Sequence, residues 1–161
     1  MPIGPIASRG NLEHFRRTRR VPFPHMGPAD TKVWRSVMAA GLLPETQWTY
    51  DVRLGGAAAL VIPDEHTHKE MWATLLRKRV DAVGIVQGAP WLVEVKPVGS
   101  FAALGQALGY CDLWEREKGG TPKPVPVVVC AFLDADLGPT FLRYGVKVFV
   151  LPLALAEAAF R

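Results

Sequence analysis

The feature that most restricts how this chain can fold is the pair of apolar runs RVDAVGIV (79–86) and WLVEVK (91–96), joined by QGAP. β-Branched and aromatic residues on either side of a glycine-containing break predict two strands of a β-hairpin. The apolar composition calls for burial, yet the hairpin carries Asp81, Glu94 and Lys96. Successive strand side chains point to opposite faces, so Glu94 and Lys96 share one face while Val93 and Val95 take the other. If Gln87 and Gly88 form a two-residue turn, position 86 pairs with 89 and Asp81 falls opposite Glu94. If all of QGAP is loop, Asp81 falls opposite Lys96, still on that face. Either register gathers two carboxylates and an amine.

Two carboxylates at close range repel unless a positive charge lies between them. Mg²⁺ or Mn²⁺ would serve: Mg²⁺ prefers oxygen ligands, commonly one or two carboxylates completed by water and substrate phosphates. A protonated lysine beside such an ion cannot ligate it, but it can hold the attacking water or stabilise charge on a phosphate oxygen. This set of groups suits hydrolysis of a phosphodiester. The structural alternative is a cross-strand salt bridge on a half-solvated hairpin.

The 161 residues, 49% of them hydrophobic and 21% charged, suffice for one domain with a substantial core and exclude a disordered chain. Residues 1–29 combine prolines with Arg9, Arg16, Arg17, Arg19 and Arg20, and read as an extended basic arm with one helical turn at 12–17. Residues 30–161 read as the folded domain. Asp30 is a good N-cap for a helix through TKVWRSVMAAG, and TQWTYDVRL alternates as a strand. Residues 57–76 admit strand or helix, with PDEHTH as a turn. After the hairpin, a helix is predicted from Ser100 to about Glu117, then a buried strand in PVPVVVCAFL. ADLGPTFLRYG reads as a short helix or turn, VKVFVL as a strand and ALAEAAF as a helix. This order predicts an α/β fold with a mixed central sheet flanked by helices. Cys111 and Cys130 lack metal-ligand spacing and read as buried reduced thiols.

The net charge of +4 is compatible with a nucleic-acid partner. Its distribution adds to this: besides the arm, Arg77, Lys78 and Arg79 lie immediately before Asp81. No apolar run is long enough for a bilayer and the N-terminus lacks a signal-peptide core, so a soluble cytoplasmic protein is expected, or a virion-associated one if it is structural.

At Val80-Asp81 and Glu94-Val95-Lys96 the chain resembles the PD-(D/E)XK nuclease superfamily. GQALGY, in which Gln106 and Tyr110 share a helical face, is similar to the Q-x-x-x-Y motif of its RecB-type members. The resemblance covers about residues 30–133 and implies a restriction-endonuclease-like core of helix, three strands, helix and strand. It implies a Mg²⁺- or Mn²⁺-dependent deoxyribonuclease in which Asp81, Glu94 and the carbonyl of Val95 bind the metal. Lys96 would act on water or the phosphate, and Gln106 and Tyr110 would hold the strand. Arg16, Arg17, Arg19, Arg20, Arg77, Lys78 and Arg79 would supply sequence-independent phosphate contacts to DNA. Many members carry a further acid on the first helix. TKVWRSVMAAG has none, Asp30 and Glu45 only flank it, and this departure points to a one-metal site or weak activity. His66 and His68 are placed in an exposed turn. The alternative function is a structural or adaptor protein, of a virus particle or a DNA-processing assembly, that keeps the nuclease fold. Its arm would order against a partner protein or a second copy.

Overall fold

The hairpin closes through two residues. In a computed structural model, which describes residues 23, 25–56 and 77–161, Gln87 and Gly88 have φ of 50° and 80°. Positive φ at both central positions is the primed turn whose twist matches paired strands. Strand β2 (Lys78–Val86) therefore pairs with β3 (Ala89–Gly99) from Val86↔Ala89 to Ala82↔Val93, the first of the two registers open to the sequence.

β1 (Thr49–Leu54) lies antiparallel on the outer side of β2, while β4 (Val125–Leu133) and β5 (Lys147–Val150) continue the sheet parallel to β3. The spatial order β1-β2-β3-β4-β5 follows the chain. Helix α1 (Pro28–Ala39) precedes the sheet and α2 (Phe101–Lys118) connects β3 to β4. A turn of 3-10 helix (Ala135–Leu137), the short α3 (Gly138–Arg143) and, after β5, α4 (Leu153–Phe160) complete the described elements. This is the predicted mixed α/β architecture. The readings placed on residues 1–22 and 57–76, with His66 and His68, lie outside the described residues.

Helices cover both faces, which is why β3 and β4 are apolar with little alternation. On one face Val33, Trp34 and Val37 of α1 meet Val93, Val95, Val127 and Val129. On the other, α2 buries Ala103, Leu104, Ala107, Tyr110, Cys111 and Trp114, a stripe at helical spacing, against Val128 and Cys130 at one end and Leu92, Val83 and Val80 at the other. Cys111 and Cys130 are free and buried, and burial pushes their thiols up to about 12 and about 11, so they are packing groups with little thiolate.

Two boundaries differ from the sequence reading. Asp30 is not the N-cap of α1: the cap is Gly27 and Pro28 opens the helix, which places Asp30 in the first turn. Proline suits that position because its missing N–H would have no helical partner there. Phe23 and Met26, counted with the arm by sequence, are buried in the α1-side core, Phe23 with its ring 4.8 Å from that of Tyr50. Replacing Phe23 by alanine should therefore lower stability by about 3–5 kcal/mol in urea unfolding. An unchanged midpoint would return this residue to the arm.

Candidate active site

The sheet is interrupted at Asp81. Pairing between β2 and β3 stops at Ala82↔Val93, and in place of a further backbone contact the Asp81 Oδ2 accepts the Val95 N–H at 2.8 Å. On the other side of β2 the register runs through Tyr50↔Ala82 and resumes at Val52↔Val80, passing over Asp51, whose φ is 54°. The core changes face at the same step. Tyr50 and Ala82 belong to the α1 side, Val52 and Val80 to the α2 side. A non-glycine residue in the left-handed region is uncommon and reverses the alternation locally. Asp81 thus stands in a gap of the sheet, where its carboxylate replaces a missing ladder bond.

Glu94 follows Val93 on β3 and is buried to 1% exposure on the face covered by α2. Lys96 Nζ lies 2.7 Å from Glu94 Oε1 and 3.9 Å from Asp30 Oδ2, so the ammonium is shared between β3 and the first turn of α1. The contact with Glu94 is an ion pair without hydrogen-bond alignment: both Glu94 oxygens are buried and neither receives a well-directed hydrogen bond from the described residues. Tyr110, in the buried stripe of α2, turns its hydroxyl toward Glu94 and accepts from Gln106 Nε2 at 3.3 Å. The structure therefore brings together Asp81, Glu94, Val95, Lys96, Gln106 and Tyr110. It adds Asp30, which the sequence reading left unassigned. The signal for it was the Gly27-Pro28 pair, which moves the helix start ahead of Asp30.

The electrostatics are those of too much negative charge in too little water. Burial foremost, then the charge of Glu94, lifts Asp81 from the ordinary 3.8 to about 7, against the pull of the Val95 N–H and Lys96. Glu94 is raised by its burial, which outweighs the Lys96 ammonium and the Tyr110 hydroxyl close to it, and Asp30 pushes it further the same way. Burial works against the charge of Lys96, but Glu94, Asp81 and Asp30 outweigh it and hold the ammonium above its usual value. Burial and then Glu94 push the Tyr110 phenol upward, so it remains a neutral donor.

These groups fit a hard divalent cation. Two desolvated carboxylates, one with both oxygens lacking a good donor, are acceptors short of positive charge. Among the described residues, no three His, Cys, Asp or Glu side chains close on one point. The oxygens that would hold such a cation are those of Asp81 and Glu94 and the carbonyl of Val95, the residue after Glu94, while Asp30 reaches this group through Lys96.

The predicted phosphate-binding residues are dispersed. Arg16, Arg17, Arg19 and Arg20 lie outside the described residues. Arg77 donates from Nε to the Gly55 carbonyl at 2.8 Å, and Lys78 is exposed at the start of β2. Arg79 is drawn to His25 and to Asp51, the latter at 3.8 Å, while His25 Nε2 is 3.1 Å from the other Asp51 oxygen. Two of the three thus have partners within the fold.

A carboxyl that holds its proton more tightly folded than unfolded costs stability as pH rises. For Asp81 that loss begins near its unfolded value of 3.8 and is complete above about 7. In EDTA, wild type should lose on the order of 2–3 kcal/mol relative to Asp81→Asn between pH 5 and pH 8. Mn²⁺ should restore stability at pH 8 in wild type and not in the variant. Parallel pH profiles in urea unfolding would contradict the burial of this charge.

No family model matches the chain, and no curated protein does. Among solved structures, a repair endonuclease from Pyrococcus abyssi aligns with a TM-score of 0.50 at 15% identity, over 83% of this chain and 49% of that one. An EndoMS–dsDNA complex aligns with a TM-score of 0.48 at 13% identity, over 83% and 48%. The chain spans about half the length of these proteins. The likeness is one of fold: the mixed sheet flanked by helices is the architecture of a solved endonuclease.

Proposed function

We propose that the protein is a Mg²⁺- or Mn²⁺-dependent nuclease hydrolysing phosphodiester bonds in DNA, built on a RecB-type variant of the PD-(D/E)XK site. The observation that carries this reading is Glu94: a carboxylate at 1% exposure, without a well-directed hydrogen bond, beside a second desolvated carboxylate and a lysine. A side chain so placed is costly to folding, and removing its partner would cost more. Such an arrangement is expected where charge is stored for a reaction. The endonuclease fold of a solved neighbour supports the same reading.

In this mechanism Asp81, Glu94 and the carbonyl of Val95 would hold the cation, and Asp30 would supply the first-helix acid that the motif alone lacked. Held there, a divalent cation would polarise a phosphate oxygen and lower the pKa of water. Lys96, whose ammonium lies 2.7 Å from Glu94, would offer its charge where negative charge grows on the phosphate oxygens. Tyr110 keeps Glu94 oriented, and Gln106, exposed at the edge of the α2 stripe, donates to the strand. Lys78 and the arginines of the arm contact phosphates without reading sequence.

Digestion of circular and linear DNA with Mg²⁺, Mn²⁺ or EDTA tests the activity directly. Glu94→Gln should abolish cleavage and weaken Mn²⁺ binding in calorimetric titration. Lys96→Ala should retain Mn²⁺ binding and lose turnover by on the order of 10²-fold or more, since one preorganised charge stabiliser is worth about 3 kcal/mol in the transition state. Wild type with neither cleavage nor Mn²⁺ binding would leave a nuclease-fold adaptor as the reading.

A further inference from the structure

Lys96 stands between two acids, and under the nuclease reading one of them is needed elsewhere. Its ammonium lies 2.7 Å from Glu94 Oε1 and 3.9 Å from Asp30 Oδ2. If Glu94 also serves a cation, two positive charges meet at one carboxylate and repel each other. Lysine carries its charge on a flexible four-carbon stem, and the Lys96 side chain is 30% exposed. An ammonium so placed drifts toward water unless an acid outside the cation's ligand set holds it. Asp30 has the position for this. Among the described residues no three His, Cys, Asp or Glu side chains close on one point, so Asp30 stands apart from the Asp81 and Glu94 oxygens while it lies within ion-pair distance of Lys96. Its backbone is fixed, because α1 starts at Pro28 and buries Val33, Trp34 and Val37 completely against the sheet. Its charge is supported there too: the first turn of this 12-residue helix is where aligned peptide dipoles favour an anion. The carboxylate lies back over the helix start, since a Cβ added at Gly27 would come 3.5 Å from Asp30 Oδ2. At 3.9 Å the contact with Lys96 is an ion pair and not a hydrogen bond, which keeps the ammonium near without claiming its protons.

We propose that Asp30 is a positioning residue for Lys96 and not a ligand of the cation: it holds the ammonium beside the acids, so that this charge is in place when a phosphate arrives. The inference rests on the nuclease reading above and gives Asp30 its task within that site. The acids then divide the work by layer. Asp81 and Glu94, on the central hairpin, face the cation, and Asp30, on the helix above it, faces the lysine.

The test is a double-mutant cycle of Asp30→Asn and Lys96→Ala in the full chain, read in three ways. In single-turnover cleavage of labelled DNA with Mg²⁺, Asp30→Asn should lower the maximal rate by on the order of 10-fold at an unchanged half-saturating protein concentration, because a misplaced charge costs rate and not binding. Added to Lys96→Ala it should lower the rate no further, since the group it positions is gone. In calorimetric titration Asp30→Asn should keep Mn²⁺ affinity within about 3-fold of wild type, the size of one charge acting across solvent. Removal of a ligand would weaken it by on the order of 10-fold or more. In EDTA, the two substitutions should shift the urea midpoint less together than the sum of their separate shifts. Additive rate losses, Mn²⁺ binding that falls as for a ligand, or additive midpoint shifts each overturn the assignment. The two readings fail separately: cleavage by wild type with additive losses removes only the role of Asp30. Wild type with neither cleavage nor Mn²⁺ binding removes the nuclease and this role with it, and non-additive midpoint shifts would then mark a structural ion pair.

Discussion

The site depends on the register of one hairpin. Because the turn at Gln87 and Gly88 contains two residues, Asp81 comes to the step beside Glu94, where the two strands part. A slip of one residue would place every β2 side chain on the opposite face and bury the carboxylate in the wrong layer. The cost of the chosen register is a break in the ladder on both sides of Asp81. That break is bridged by the Asp81–Val95 hydrogen bond toward β3, while Asp51 takes the left-handed conformation toward β1.

The opening has an electrostatic consequence. Asp81 and Glu94 are taken out of water by the same packing that gives the protein its core, and among the described residues Lys96 is the cation that faces them both. An ion pair in such surroundings loses much of its Coulomb gain to desolvation. The described side chains therefore balance the acids incompletely, which shows in the raised Asp81 and in the Glu94 oxygens without good donors. A fold optimised only for stability would replace this group with apolar residues of equal volume. Under the proposed function, its presence on the central hairpin, between the two helical layers, is where stability is given up for chemistry.

Much of this was legible in the chain. The hairpin could be read because β-branched runs flank a glycine turn. The helix from Ser100 to about Glu117 could be placed, with Gln106 and Tyr110 on one face by their spacing, while the buried stripe that carries Tyr110 toward Glu94 came from the structure. Asp30 was harder. As an isolated residue it makes a good N-cap, and only the preceding Gly27-Pro28 competes for that role. Phe23 and Met26 were hidden by the prolines and arginines around them, since periodicity cannot reveal two core residues supplied by a segment outside any helix or strand.

By itself the sequence determined the order of elements, the layered α/β class and the identity of the acids and lysine on β2 and β3. These follow from local patterns: spacing of apolar residues, turn chemistry and the rule that strand side chains alternate. Tertiary structure alone decided which hairpin register is used, that Asp81 replaces a backbone partner of Val95, and that Asp30 approaches Lys96 from another layer. It also turned Arg77 and Arg79 toward partners within the fold. Each of these depends on the distance between groups far apart in the chain, and such distances are set by how the helices and strands pack, which no local pattern of residues encodes.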